Sequence, residues 1–254
     1  MNLMGKNIIL TGASSGIGLE LLYMLSQKGC KIIAVSRDVD KIPKINNVYP
    51  YKCDVSNKEE LDKLFDFALE LFDKIDIFIA NAGFAYYEKI EEANYEHIEK
   101  IFKTNVFAPI YCLEKMKNIN KNNSFMYVIT DSAVAKMPLP GYALYSATKS
   151  AVDSFQNAYR FEMDKNCHLM IVYPIATRTN FFKTSTKTAP VPFPSQSAHY
   201  VAGCIIKGME RNKKYVYPSK TFVIISVLNR IFPFIYKLYQ KSQYHKFKRW
   251  LEKV

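Results

Sequence analysis

The sequence predicts an α/β fold: one doubly wound domain, with a central parallel sheet of about seven strands and helices on both faces. Three observations predict it. Short apolar runs alternate with longer stretches of helical periodicity along most of the 254 residues, the order that a parallel sheet with crossover helices requires. The runs are near-continuous Ile, Val and Phe, which suits strands covered on both faces. A glycine-rich turn joins the first run directly to the first helical stretch. In such sheets a ligand sits outside the carboxyl ends of the strands. With 49% hydrophobic and 23% charged residues, a core of this size needs no disulfide or metal staple.

The first strand covers residues 7–11 and ends in Thr11-Gly12-Ala13-Ser14-Ser15-Gly16-Ile17-Gly18, where a helix over 16–28 begins. Glycines let the backbone turn tightly and approach a pyrophosphate, and free N–H groups at the helix start face its charge. Thr11, Gly12, Ser14, Ser15, Gly16, Ile17 and Gly18 are therefore candidate cofactor contacts; an ordinary βα loop of small residues is the plainer alternative. The second strand, 31–36, ends at Ser36-Arg37-Asp38. An acidic residue there would bond both ribose hydroxyls and repel a 2′-phosphate. Small, neutral Ser36 takes that place, and the Arg37 guanidinium can hold a 2′-phosphate, unless it pairs with Asp38 or Asp40 at the surface. NADP(H) is the expected cofactor, with NAD(H) left open.

The third strand, 48–53, runs into Asp54-Val55, and Ser56 with Glu59 reads as a capping box for a helix over 58–72. A strand over 75–80 precedes Asn81-Ala82-Gly83, and a helix over 95–116 carries Asn105. The strand 125–130 ends just before Asp131 and Ser132. A helix over 145–165 opens with Tyr145-Ser146-Ala147-Thr148-Lys149. The strand 169–173 leads into Pro174-Ile175-Ala176-Thr177-Arg178-Thr179. The Pro-rich piece 189–194 marks a flexible loop over the site, and its neighbours 181–188 help shape the pocket. A helix over 195–210 and a strand over 214–217 complete the alternation. Residues 1–218 form the dinucleotide-binding and catalytic domain; 219–254 form a basic, aromatic and apolar extension.

Tyr145 and Lys149 lie one helical turn apart on the same face. Tyr111…Lys115 and Tyr244…Lys248 share that spacing, but Ser132 stands thirteen residues before Tyr145, where the other pairs have Ile98 and Ile231. A phenol titrates near pH ~10 when unperturbed, so it needs a nearby cation to favour the phenolate. Lys149 is the expected cation and Tyr145 the general acid in reduction, or base in oxidation. Asp131 reads as a strand-end residue and Tyr142 as pocket lining.

These landmarks resemble the short-chain dehydrogenase/reductase family, over residues 5 to 218. The resemblance implies a Rossmann-type fold, Asp54 with Val55 at the adenine, and Asn81-Ala82-Gly83 beside the cofactor, with Ala80 in place of a frequent Asn. It implies that Ser132 polarises a substrate carbonyl and that Lys149 also holds the nicotinamide ribose. Asn105 would support a water-linked proton path to Lys149, although it could instead bond backbone inside its helix. Pro174 and Thr179 fall where the family meets the nicotinamide, Thr179 at the carboxamide. Ile175 replaces a family Gly, so that turn is expected to differ. A homodimer or homotetramer is also implied.

Eleven Lys or Arg and one acid, Glu252, fall between Arg211 and Val254, so +10 of the net +12 lies there. The stretch 221–236 is too short and interrupted to span a bilayer, which takes about 20 apolar residues. Apolar residues followed by basic and aromatic ones suit an anionic membrane surface; the alternatives are a pocket cover or a subunit contact. No nucleic-acid-binding motif is present. The five cysteines read as buried, reduced thiols, the four histidines lack metal-ligand spacing, and no secretory signal is apparent. A cytoplasmic protein without a catalytic metal is expected, touching the cytoplasmic face of a membrane if the tail docks there. Two functions follow: an NADP(H)-dependent oxidoreductase for a small hydrophobic or lipid-like alcohol or ketone, or a non-catalytic dinucleotide-binding protein that docks through its tail.

Overall fold

Apolar side chains projecting to both faces gather the strands into one parallel sheet. The computed structural model describes residues 1–179, 181 and 189–253; residues 180 and 182–188 of the expected pocket loop, and Val254 of the tail, lie outside the described residues. The strands are β1 (Asn7–Thr11), β2 (Lys31–Ser36), β3 (Val48–Lys52), β4 (Ile77–Ala80), β5 (Phe125–Thr130), β6 (Cys167–Val172), β7 (Thr177–Arg178), β8 (Gln196–Ser197) and β9 (Tyr215–Val216). Seven form the main sheet in the order β3-β2-β1-β4-β5-β6-β9, and β7 pairs with β8 apart from it. Every pairing in the main sheet is parallel. The order reverses between β1 and β4, so a crevice opens above their carboxyl ends.

The helices are α1 (Gly16–Gln27), α2 (Lys58–Leu71), α3 (Tyr95–Phe102), α4 (Ala108–Ile119), α5 (Ala143–Tyr159), α6 (Ala198–Glu210), α7 (Lys220–Ile231) and α8 (Phe234–Leu251). Alternate residues of each strand feed opposite layers. Ile9 packs with Leu64, Phe65, Leu113 and Val152 under α2, α4 and α5. Ile8 and Leu10 pack with Leu21, Leu25, Ile205 and Met209 under α1 and α6. Each fully buried side chain of this kind contributes ~1.5–3 kcal/mol. On the last crossover Gly208 lets α6 lie flat, because a Cβ there would sit 2.4 Å from Val216 Cγ2.

Several boundaries differ from the expectations, each for a local reason. The helix expected over 95–116 is split: α3 passes into a π-helical stretch, Lys103–Phe107, before α4. Pro109 has no N–H to send to the Asn105 carbonyl, so the α ladder cannot run through. The Ala108 N–H donates to the Lys103 carbonyl instead. The helix expected over 145–165 starts at Ala143 and stops at Tyr159; Phe161, 93% exposed, would bury nothing by continuing it. The cap of α2 moves by one residue. Asn57 caps α2 by accepting from the Glu60 N–H at 3.0 Å, while Ser56 turns back to Asp54 Oδ1 at 2.7 Å. No reciprocal contact closes the box: Glu60 accepts from the Asp54 N–H at 2.7 Å, and the Asn57 N–H donates to the Asp54 carbonyl at 3.0 Å.

Candidate active site

Three βα turns at the carboxyl ends of β1, β4 and β5 build the floor of one cavity of about 600 Å³. The first is the glycine-rich turn. A Cβ on Gly18 would lie 2.0 Å from the Gly12 carbonyl oxygen, so only glycine lets α1 start so close to β1. Gly16 takes a φ of +56°, where a side chain would be strained. Ser15 makes no side-chain cap on α1, whereas Asn57, Asn94 and Ser219 cap their own helices. The first-turn amides of α1 are thus left for a ligand. Together with the Gly12, Ser14, Ser15, Gly16 and Ile17 wall of the cavity, they fit an anionic pyrophosphate.

Thr11 and Gly18 were expected as cofactor contacts, but they stand behind that wall. Thr11 Oγ1 accepts from the Asn81 and Ala82 N–H groups, both at 3.0 Å. Asn81 Nδ2 returns a bond to the Thr11 carbonyl at 3.1 Å. β1 and β4 are thereby locked together, with Asn81, Ala82 and Gly83 left facing the cavity. At the end of β2, Ser36 Oγ donates to Ser14 Oγ at 2.8 Å. Arg37 lines the cavity. Asp38 pairs with Lys41 at 2.6 Å, so the surface pairing considered for Arg37 with that carboxylate is already taken. Asp54 and Val55 form the far wall. Burial pushes the Asp54 carboxyl up, but the Ser56 hydrogen bonds and the Arg37 and Lys100 charges outweigh it and keep it below the ordinary range.

The expected catalytic residues converge. Ser132, 8% exposed, follows β5; Tyr145 meets it from the first turn of α5, and Lys149 lines the same cavity one turn further on. A hydrogen bond from Ser132 favours the Tyr145 phenolate, but burial outweighs it and holds the phenol well above its usual range. In the protein alone, desolvation dominates the phenol. Lys149 Nζ donates to the Thr130 carbonyl at 2.8 Å and lies 5.8 Å from the Tyr145 ring centre. Burial pulls its ammonium below the ordinary value, and the Asp131 charge opposes that. Asp131 is at the strand end, buried beside Lys149.

Asn105 also stands behind the wall, in the π-helical stretch, and it does not bond within its own helix. Its Oδ1 accepts from the Phe84 N–H at 3.1 Å. Its Nδ2 donates to the Phe84 carbonyl at 2.8 Å and to Thr148 Oγ1 at 3.1 Å. One side chain therefore ties the turn after β4 to the helix that bears Tyr145. Fully buried Thr148 was not anticipated, although its place just before Lys149 was a signal.

Pro174 and Thr179 line the cavity after β6. A Cβ on Gly16 would lie 3.1 Å from Thr179 Cγ2, which sets Thr179 over the glycine turn. Ile175 needs no left-handed backbone: among the described residues only Asn47 and Asn212 take a positive φ without being glycine. The Pro174 carbonyl accepts from the Ala133 N–H at 2.8 Å and ties this turn to Ser132.

The roof was not foreseen in detail. Phe84, Met137, Leu139, Tyr142 and Phe181 narrow the cavity, and the Phe181 ring sits 5.5 Å from that of Tyr145. Pro192 and Pro194 lie over it, as the Pro-rich loop implied. Phe222 and Ile225 of α7, with Ile235 and Tyr239 of α8, close the top. Their i, i+3 and i, i+4 spacings were the available signal. Tyr239 Oη donates to the Phe193 carbonyl at 2.8 Å, and Phe247 and Trp250 pack around Tyr87. Tail residues thus line the cavity, where a pocket cover was one of the uses weighed for them. Among the described residues no group of three His, Cys, Asp or Glu side chains could hold a metal ion.

Residues 6–190 match the sequence profile of the short chain dehydrogenases. An 11-beta-hydroxysteroid dehydrogenase-like protein of Arabidopsis thaliana is 28% identical over 255 residues, covering 91% of this chain and 79% of the relative. A short-chain dehydrogenase/reductase of Burkholderia phymatum, solved with NAD, superposes with a TM-score of 0.79 at 20% identity, covering 91% of this chain and 94% of that one. A short-chain dehydrogenase of Burkholderia cenocepacia, solved with NADP, gives 0.78 at 22% identity, with the same coverage of 91% and 94%.

Proposed function

We infer the function from one premise: this chain belongs to the short-chain dehydrogenase/reductase family and is an oxidoreductase of CH–OH and C=O groups. We propose that it prefers NADP(H), that it takes a hydrophobic alcohol or ketone, and that Tyr145 is its general acid and base. The observation that carries this reading is the single cavity that joins the glycine turn to Tyr145, Ser132 and Lys149.

When bound, the nicotinamide would supply or accept the hydride at the substrate carbon. The chain's own residues would do the rest. Burial keeps Tyr145 protonated, so in reduction the phenol can give its proton to the substrate oxygen. Ser132 can hydrogen-bond the same oxygen as charge develops there. Lys149 offers the ammonium that would favour the phenolate left behind. Asn105 keeps the turn after β4 and the Tyr145 helix in register.

Arg37 supports NADP(H): it faces the cavity at the end of β2, with neutral Ser36 in place of an acid. The aromatic and aliphatic roof supports a hydrophobic substrate, as does the hydroxysteroid dehydrogenase-like relative. The non-catalytic alternative gains no support, because it has no use for the convergence of Ser132, Tyr145 and Lys149 on one cavity.

Titration with NADPH and NADH, followed by nicotinamide fluorescence, tests the cofactor assignment. Tighter NADPH binding is expected, with the preference reduced roughly tenfold to a hundredfold in Arg37→Ala, as for a lost charge-assisted bond. An NADH preference in the wild type would remove Arg37 from the site.

A further inference from the structure

α7 carries apolar side chains on two faces. On the inner one Phe222 and Ile225 meet the cavity, and beside them Ser226 Oγ and Tyr236 Oη share a hydrogen bond of 2.6 Å while Asn229 Oδ1 accepts from the Tyr236 N–H at 2.9 Å. Its outer face is apolar. Val223, Ile224, Val227, Leu228 and Ile231 are between 38% and 67% exposed, and helical periodicity sets all five on one arc. The bend into α8 adds Phe232 and Phe234, 48% and 56% exposed, and Leu238 follows one turn later at 63%. A soluble surface rarely leaves so much contiguous apolar area facing water.

The surroundings of this patch are uniformly basic. Lys220 and Arg230 flank it on α7, and Lys237, Lys241, Lys248 and Arg249 are exposed on α8. Among the described residues none of these six joins an ion pair. A second copy would be a poor occupant, because a two-fold contact would bring these cations against one another. An anionic lipid surface complements both the apolar arc and its charge. Among the described residues no single helix is long and apolar enough to cross a membrane, and α7 and α8 bend by 120° where they meet. With 12 residues, α7 is ~18 Å long, short of the ~30 Å hydrocarbon core. It is suited to lie in the interface plane.

The inner side of the same layer is the cavity roof, where Phe222, Ile225, Ile235 and Tyr239 face the site. We propose that α7, the Phe232–Phe234 bend and the basic face of α8 dock on an anionic bilayer, seating the cavity mouth at the acyl boundary so that a lipid-soluble alcohol or ketone reaches Tyr145 from the membrane. The access route rests on the function proposed above; the docking surface does not.

Co-sedimentation of the full chain with phosphatidylcholine vesicles, with and without phosphatidylserine, tests the docking. The wild type is expected to pellet with the anionic vesicles. Lys237→Glu with Lys241→Glu and Lys248→Glu should weaken this by at least about tenfold. Val227→Ser with Ile231→Ser and Phe232→Ser, which line no part of the cavity, should do the same while keeping NADPH binding and turnover of a water-soluble ketone. A wild type that stays in the supernatant with both vesicles overturns the docking surface. So does a dimer that the serine variant dissolves, if neither protein binds vesicles. Tyr145→Phe should pellet like the wild type while inactive, which separates a failure of docking from a failure of catalysis. For the access route, the serine variant should raise KM for a vesicle-borne long-chain ketone only; an equal rise for the water-soluble ketone overturns it.

Discussion

Tyr145 combines two demands that oppose each other. Burial keeps its proton on, and the Lys149 ammonium must still make the phenolate reachable during turnover. Tyr145→Phe removes the exchangeable proton while keeping the ring against Phe181. Turnover should fall by at least about a hundredfold, with NADPH affinity within about twofold of wild type, measured by steady-state kinetics and by fluorescence titration. Asp131 gives a second test. Burial raises its carboxyl from 3.8 to about 8, the neighbouring Lys149 pulling the other way. The folded chain therefore keeps a proton that the unfolded chain releases. The stability this confers is complete below the unfolded value and is lost as pH rises through the folded one. Asp131→Asn should flatten the fall in melting temperature between about pH 4 and about pH 8, and an unchanged slope in differential scanning calorimetry would contradict the shift.

Local chemistry also decides where elements begin and bend. Asn57 supplies the cap on α2, so Asn57→Ala should cost about 1 kcal/mol in urea unfolding. The expected Ser56 and the actual Asn57 are adjacent capping types, and sequence spacing alone does not choose between them. Asp54 decides it, by drawing Ser56 away. Strand existence and order of helices were legible because near-continuous Ile, Val and Phe runs have no other stable home. The π-helical stretch was less so, since apolar periodicity runs through it unbroken; Pro109 was the visible clue. Ser132, Tyr145 and Lys149 could be read because each sits at a strand end or on one helical turn. Thr11, Gly18 and Asn105 were found as site residues, but their position behind the wall depends on tertiary packing that spacing does not encode.

At the scale of the molecule, the sheet supplies a rigid floor and the tail supplies a roof. Phe222 and Tyr145 line one cavity although they lie far apart in the chain, so no periodicity announces it. Phe247 secures that roof: it is 8% exposed, with its ring 5.4 Å from that of Tyr87. Phe247→Ala should destabilise the protein by about 3 kcal/mol, read from chemical denaturation, and should raise KM for a hydrophobic ketone. NADPH binding should change little, since the glycine turn and Arg37 lie on the opposite half of the cavity.

Floor and roof also come from separate stretches of chain. The side chains that would handle the proton lie between residues 132 and 149, while much of the ceiling comes from one run after residue 218. A lineage could therefore exchange or reshape that run and acquire a new diet while inheriting its chemistry intact. Within such a lineage, tastes would diverge fastest at the end of the chain, and the reaction itself would be the last thing to change.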